Sequence, residues 1–331
     1  MREAAFIGFA VLTALSCGPT VPRTARATAV SVRVDVTPVP LNPQDPSEHR
    51  IGSFVYAGGI EIRSPGSTTI FELSDLRIVS GDQLVAISDH GNFFEARLLF
   101  DETERLSGLA DARVIPLLGE RGELLTGTEA DAEGLDLLPD GDRLVSFERD
   151  HRIWLYPADG SAPRPTPKPD ATFPANEGME AITRYPAAGP GAYLVGSEGG
   201  TIWLCGLSAA CKETAFGALV PSGLGLTALA AYGEDGGFAM LGRAYDPRHG
   251  VRISVRLIGT SGASEARVVD EMTMAAPLTV DNFEGIAVVP RATGGIRLYI
   301  VSDDNASASQ RTYLLAFDWQ PAPGEAGARS E

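Results

Sequence analysis

The chain has 331 residues, a formal net charge of −16 and a hydrophobic content of 44%. So much apolar residue excludes global disorder, and so negative a surface repels phosphate backbones and argues against nucleic acid as a partner. The 37 glycines and 23 prolines imply many turns between short elements, the pattern of an all-β protein.

The N-terminus reads MREAAFIGFAVLTALSC. One basic residue, Arg2, precedes an apolar run from Ala4 to Leu15 that is too short to span a bilayer and suits a signal peptide. Ser16-Cys17 is similar to the end of a bacterial lipobox, in which the cysteine is lipidated and becomes the new N-terminus. Ala14 and Leu15 depart from that motif, and ordinary cleavage nearby would instead discard Cys17. Residues 1–17 are therefore expected to export the chain to the cell envelope or periplasm. Residues 18–30 read as a linker, 31–320 as one β domain and 321–331 as a flexible tail. No later segment is apolar enough to cross a membrane, which leaves a lipid on Cys17 as the expected anchor.

One pattern recurs through the β domain. A short apolar strand is followed by a turn, then by a second apolar strand that ends in an acidic or polar residue, and after a loop by an alternating third strand. The copies are LSDLRIVSGDQLVAISDHGNF with EARLLFD, AEGLDLLPDGDRLVSFERD with RIWLYPADG, and MEAITRYPAAGPGAYLVGSEGG with TIWLCGL. Then come GLTALAAYGEDGGFAMLGRAYD with VRISVRLIG, and NFEGIAVVPRATGGIRLYIVSDDN with RTYLLAFDW. They begin about 35 to 60 residues apart, a spacing typical of propeller blades. The segments SVRVDVTPVPL and RIGSFVYAGGIEIRSP add strands that could supply one more blade, closed by pairing an N-terminal strand with the last one. The expectation is a β-propeller of about six blades.

Cys205 and Cys211, in WLCGLSAACKE, flank a small-residue loop and are expected to form a disulfide, since no further ligand is close enough for zinc. Trp154, Trp203 and Trp319 occupy third-strand positions and read as packing between blades.

Antiparallel pairing puts the start of the first strand and the end of the second at one edge of each sheet. Acids stand at both places in three copies: Glu133 with Glu148, Glu180 with Glu198, and Glu284 with Asp303-Asp304. In the first copy only the closing Asp89 appears, followed by His90, and in the fourth Thr227 and Arg243 take the two places. Glu177 and Asp281 lie close by. If the copies are blades, these residues ring one mouth of the channel, where a hard cation such as Ca²⁺ would relieve their repulsion. Arg243, Arg149 or Arg311 could offset charge or hold a phosphate. The same acids also fit as turn formers at strand ends.

NFEGIAVV followed by LYIVSDDN and QRTYLLAF resembles the C-terminal signature of the esterase-like activity of phytase family. NEGMEAI with YLVGSEGG, and AEGLDLLPDGDRLVSFE, resemble its internal repeats, so the similarity runs from about Leu73 to Trp319. The resemblance implies an exported, propeller-like domain with recurring acids suspected of phosphoesterase activity, here Glu133, Glu177, Glu180, Glu284, Asp303 and Asp304. The fourth copy lacks its acids and departs from the family pattern.

With four histidines and neither an HExxH nor a GxSxG motif, zincin and serine-esterase chemistry are not supported. Two functions fit. One is metal-dependent hydrolysis of a small phosphate monoester or diester, with Glu133, Glu177, Glu180, Glu284 and Asp303 as ligands of Ca²⁺. In it Glu180, Glu284, Asp303 and Asp304 are the catalytic acids and Arg243 binds the substrate. The other is a non-catalytic envelope propeller that presents its mouth to a ligand or partner protein. Nothing in the sequence signals self-association, and a monomer is expected.

Overall fold

The computed structural model describes residues 27–65, 72–233, 235–261, 265–292 and 294–320. The expected export segment, Cys17 and the C-terminal tail lie outside these residues. Three short strands come first: β1 (Val30–Ser31), β2 (Asp35–Pro38) and β3 (Arg50–Ile51), followed by the long β4 (Phe54–Arg63). Each sequence repeat then forms an antiparallel meander. Blade 1 is β5 (Leu73–Val79), β6 (Gln83–Ser88), β7 (Asn92–Phe100) and β8 (Leu106–Pro116). Blade 2 is β9 (Ala132–Leu137), β10 (Arg143–Phe147), β11 (Arg152–Tyr156) and β12 (Arg164–Pro165). Blade 3 is β13 (Ala181–Arg184), β14 (Ala192–Gly196), β15 (Ile202–Gly206) and β16 (Ala209–Glu213). Blade 4 is β17 (Gly225–Ala231), β18 (Phe238–Asp246), β19 (Gly250–Ser261) and β20 (Glu265–Ala275). Blade 5 begins with β21 (Asn282–Pro290), β22 (Ile296–Asp303) and β23 (Thr312–Trp319).

The fourth strand of blade 5 is β4, with Tyr313 opposite Glu61 and Leu314 opposite Ile60. The ring is thus closed by pairing an early strand with the last repeat, which removes an open sheet edge. The all-β propeller expectation holds, but the described residues form five blades rather than about six. The strands expected to build a sixth complete blade 5 instead: β4 becomes its outer strand, β2 and β3 pair along β4, and β1 pairs with β8. Gly58 is the point where β4 meets blade 1. Its φ is +97°, and a Cβ there would lie 2.4 Å from the carbonyl oxygen of Leu106, so only glycine permits the approach.

The first strands of the blades, β5, β9, β13, β17 and β21, each touch the next around the channel, and β21 touches β5. Five apolar clusters fill the wedges between neighbouring blades. Val85 and Ile87 meet Leu135 and Phe147 between blades 1 and 2, for example, and Leu194 meets Leu226 and Phe238 between blades 3 and 4. Residues on both faces are therefore buried in central strands such as β22, whereas peripheral β20 keeps only Met272 and Met274 buried. This explains why the second strands of the sequence repeat read as continuous apolar runs. Trp154 packs edge-on against Phe147, Trp203 against Phe173, and Trp319 is buried with its indole N–H donating to Asp270 at 2.6 Å, the packing role expected of them. The Cys205–Cys211 disulfide forms as expected and links β15 to β16 at the rim of blade 3. Among the described residues no helix is long and apolar enough to cross a membrane.

The middle of the channel is closed by one buried arginine. Arg77, on β5, bonds to all five inner strands. Its guanidinium donates to Asp75 at 3.0 Å and to Asp136 at 2.9 Å. It also donates to the carbonyl oxygens of Ile182, Leu229 and Ile286 at 2.8, 2.8 and 3.0 Å. Asp75 in turn accepts backbone N–H groups from Leu76, Leu135 and Ile286, and Asp136 accepts that of Arg184. Because these partners come from every blade, the knot ties the ring together while leaving its charges satisfied.

Candidate functional site

The acids of the repeat lie at the opening of this channel, at the starts of the inner strands. Pairing brings the strand ends together as the hairpin argument requires: Ala132 faces Phe147, Ala181 faces Gly196, and Asn282 faces Asp303. Glu133, Glu180 and Glu284 thus project from blades 2, 3 and 5 into one electrostatic field, together with Asp89, Asp303 and Glu148. The fourth repeat contributes Arg243, whose Nη1 lies 3.2 Å from Glu284 Oε1.

Among the described residues, Asp89, Asp131 and Glu133 form a grouping that could hold a metal ion, with one carboxylate oxygen from each lying within 4.8 Å of the others. Each has a different local setting. Asp89 accepts a hydrogen bond from the Ser74 hydroxyl. Asp131 is 4% exposed, and its Oδ2 accepts no hydrogen bond, its charged neighbour being Arg149 Nε at 2.7 Å. Glu133 has no hydrogen bond or ion pair to a described residue, only the fields of Asp89, Glu180, Glu284 and Asp131. A cleft of about 410 Å³ opens beside the trio, walled by Asp89, Asp131, Glu72, His90, Arg149 and the turn Thr126-Gly127. His90 is half-exposed there, with Nε2 2.5 Å from Glu72 Oε2.

The electrostatics follow from burial and crowding. Burial raises the Asp89 carboxyl to about 8, with Asp303, Asp131 and Glu72 adding to the effect against the Ser74 hydrogen bond. Burial likewise raises Glu180 to about 8; the Gly178 N–H opposes it, while Glu148 and Glu198 push further. Glu148 and Asp303 are held near about 7, chiefly by burial. Glu133 and Glu284 stand well above the usual carboxylate range for the same reasons, Glu284 against the pull of Arg243. Protons or cations are required to neutralise this group.

The structure sorts the residues expected from the sequence. Glu133 sits in the trio. Glu180 is in the same field and accepts the Gly178 N–H at 3.0 Å. Glu284 and Asp303 are bridged by the Asn282 side chain at 2.8 and 3.1 Å, so part of their bonding capacity is used. Glu177 is exposed at the rim and reaches the group only through its field on Glu148. Asp304 and Asp281 close turns: Asp304 accepts the backbone N–H groups of Glu72 and Ala306, and Asp281 those of Asn282 and Arg311. Asp304 also faces a separate cleft, with Arg311. Sequence reasoning missed Asp131 and Glu72. Asp131 precedes Glu133 by two positions, the spacing that puts two side chains on the same side of an extended segment, so the signal was present.

The donor set consists of carboxylate oxygens, which are hard ligands. It fits Ca²⁺ or a similar cation and lacks the nitrogen and sulfur ligands that zinc prefers.

Fold and mouth together define an acid-mouthed, five-bladed β-propeller. The chain belongs to the phytase-like family, described as esterase-like activity of phytase, whose model matches residues 68–306. The resemblance carried by NFEGIAVV and LYIVSDDN is thus sound. No curated protein matches the chain. Similar solved structures include the WD40 repeats of RRP9, at 14% identity, 81% of this chain, 77% of that chain and a TM-score of 0.41. A streptogramin B lyase is similar at 11% identity, 85% and 98% coverage and a TM-score of 0.40. A tail fibre of a Staphylococcus aureus phage is similar at 11% identity, 83% and 54% coverage and a TM-score of 0.42.

Proposed function

We infer that the protein is an exported hydrolase of small phosphate esters that works with a divalent cation at the propeller mouth. The observation that carries this reading is the Asp89, Asp131 and Glu133 trio, gathered within 4.8 Å beside an open cleft and lacking enough cationic side chains to balance it. Membership of the phytase-like family supports the reaction class. Asp89, Asp131 and Glu133 would hold the ion, with Glu180, Glu284 and Asp303 completing the negative field around it. When bound, such an ion polarises a phosphoryl oxygen and makes a bound water more acidic.

The residues around the ion site have separate tasks. Glu180 and Glu148, raised to about 8 and about 7, exchange protons near neutral pH, the range that general acid–base work requires. Glu72 fixes the His90 ring at the cleft edge. Arg243 neutralises Glu284 and so keeps the far side of the mouth from repelling an anionic substrate. Export and lipid anchoring rest on the first 17 residues, and the Cys205–Cys211 disulfide supports an oxidising compartment.

Purified protein with added Ca²⁺ should hydrolyse p-nitrophenyl phosphate, a phosphodiester or phytate above background. Glu133→Gln should lose the activity. Absence of hydrolysis across all three substrates with each of Ca²⁺, Mg²⁺ and Mn²⁺ would leave the non-catalytic envelope propeller as the better account. The turn-closing bonds of Asp281 and Asp304 favour that second reading.

A further inference from the structure

The cleft beside the trio has a cationic wall, and its conformation is unusual. The turns after the second strands carry left-handed residues: Gly91 in blade 1, Gly200 in blade 3, Gly250 in blade 4, Asn305 and Ala306 in blade 5, and Arg149 in blade 2. Glycine adopts that conformation without strain and asparagine more readily than most; a long side chain does not. Blade 2 alone among these places a long cationic residue there, with φ at 52°. The side chain is half-exposed and lines the cleft. Its contacts with Asp131 and Glu148 run through Nε, at 2.7 and 3.9 Å, and no described residue hydrogen-bonds its two terminal nitrogens. The guanidinium is thus anchored at one corner and presents its outer edge to the cleft, the geometry that grips an oxyanion with two parallel N–H bonds.

Arg243, the arginine expected from the sequence to bind substrate, is placed differently. Its Nη1 is engaged by Glu284, and it does not line the cleft.

We propose that Arg149 binds the phosphoryl group of the substrate, holding it in the cleft that Asp89 and Asp131 of the trio also line. The cleft volume of about 410 Å³ lies at the small end of ligand pockets, which suits a low-molecular-weight phosphorylated compound. The proposal rests on the phosphoester reading for its substrate class, but the anion site can be tested without turnover.

The probe is inorganic phosphate, titrated calorimetrically into the full chain in the presence of Ca²⁺. Arg149→Gly is the informative variant because glycine suits the left-handed backbone, so a purely structural role for the turn would be preserved. Arg149→Gly should weaken phosphate binding about ten- to hundred-fold, in line with losing charge-assisted bonds. Arg149→Lys should fall between the parent and Arg149→Gly, and Arg243→Gln, which only unmasks the Glu284 charge, should weaken phosphate binding by about threefold at most. In ester assays Arg149→Gly should raise KM more than it lowers kcat. Unchanged phosphate affinity in Arg149→Gly, or equal losses in Arg149→Gly and Arg243→Gln, would overturn the proposal, as would ester hydrolysis by a parent protein that binds no phosphate. Phosphate binding that depends on Arg149 in a protein without esterase activity would uphold the anion site while refuting the hydrolase reading.

Discussion

Two charged groups occupy the same channel, and they are built on opposite principles. In the knot around Arg77, burial raises Asp75 to about 7, and everything else opposes the rise: one arginine and the backbone N–H groups of Leu135, Leu76 and Ile286. At the mouth, burial also raises Asp89 to about 8, but there the neighbouring carboxylates of Asp303, Asp131 and Glu72 push the same way. A charge that folding has already satisfied serves the fold. A charge left in the company of its own sign is held there by the rest of the structure and invites a ligand. The contrast separates structural from functional acids where a count of carboxylates cannot.

The comparison can be broken most forcefully at its structural half. Arg77→Met should destabilise the protein by about 3–5 kcal/mol, because Asp75 and Asp136 would be left buried without their cation. Urea unfolding should show the midpoint falling steeply, and a loss below about 1 kcal/mol would show that the knot is not the tie between blades.

At the mouth, the stabilising partner has to come from outside. Ca²⁺ at about a hundred times its dissociation constant should add about 2.7 kcal/mol to the chelator-treated protein and raise its Tm, with little gain in Glu133→Gln. An identical thermal shift in both proteins would detach the trio from the ion.

Without metal, stability should fall as pH rises. The folded pKa values of Asp89 and Glu180, about 8, exceed the ordinary unfolded values near 4. The folded state therefore retains protons that the unfolded chain has released. Its stabilisation is complete below pH 4 and is lost as pH climbs through about 8, at about 1.4 kcal/mol per pH unit for each proton retained. Equilibrium unfolding between pH 5 and 8 should show this slope, and saturating Ca²⁺ should flatten it. A slope of the opposite sign would mean that the mouth acids are already compensated.

The smallest effect sharpens the contrast. Glu133→Gln should leave the metal-free protein as stable as the parent or about 1 kcal/mol more so, since burial and the neighbouring carboxylates already disfavour a charge at Glu133 and the change orphans no partner. A loss approaching that of Arg77→Met would place Glu133 with the structural acids.

Much of this was legible in the sequence. The repeat gives the three inner strands of every blade, because an apolar hairpin plus an alternating strand is what a two-faced, wedge-packed sheet demands. It also places Glu133, Glu180 and Glu284 at one edge, as strand pairing requires. The blade count was not legible. Whether β4 would found a new sheet or complete blade 5 depends on long-range pairing, such as Leu314 with Ile60, that no local pattern encodes. Asp75 and Arg77 stand two apart on one strand with nothing local to mark them, and their role depends on four other blades converging on them. Asp281 and Asp304 looked like site acids because turn formers and ligands share a chemistry; their backbone bonds tell them apart. Arg243 was the substrate-binding candidate from the sequence, with Arg149 and Arg311 as further options, and only the structure shows that Glu284 engages a terminal nitrogen of Arg243 while Asp131 engages Arg149 through Nε.

Calorimetric titration of Ca²⁺ into chelator-treated parent protein and Glu133→Gln tests the mouth most directly. The account predicts one tightly bound ion per chain in the parent and affinity at least tenfold weaker in the variant. No measurable binding in the parent, or equal binding in both, would contradict it.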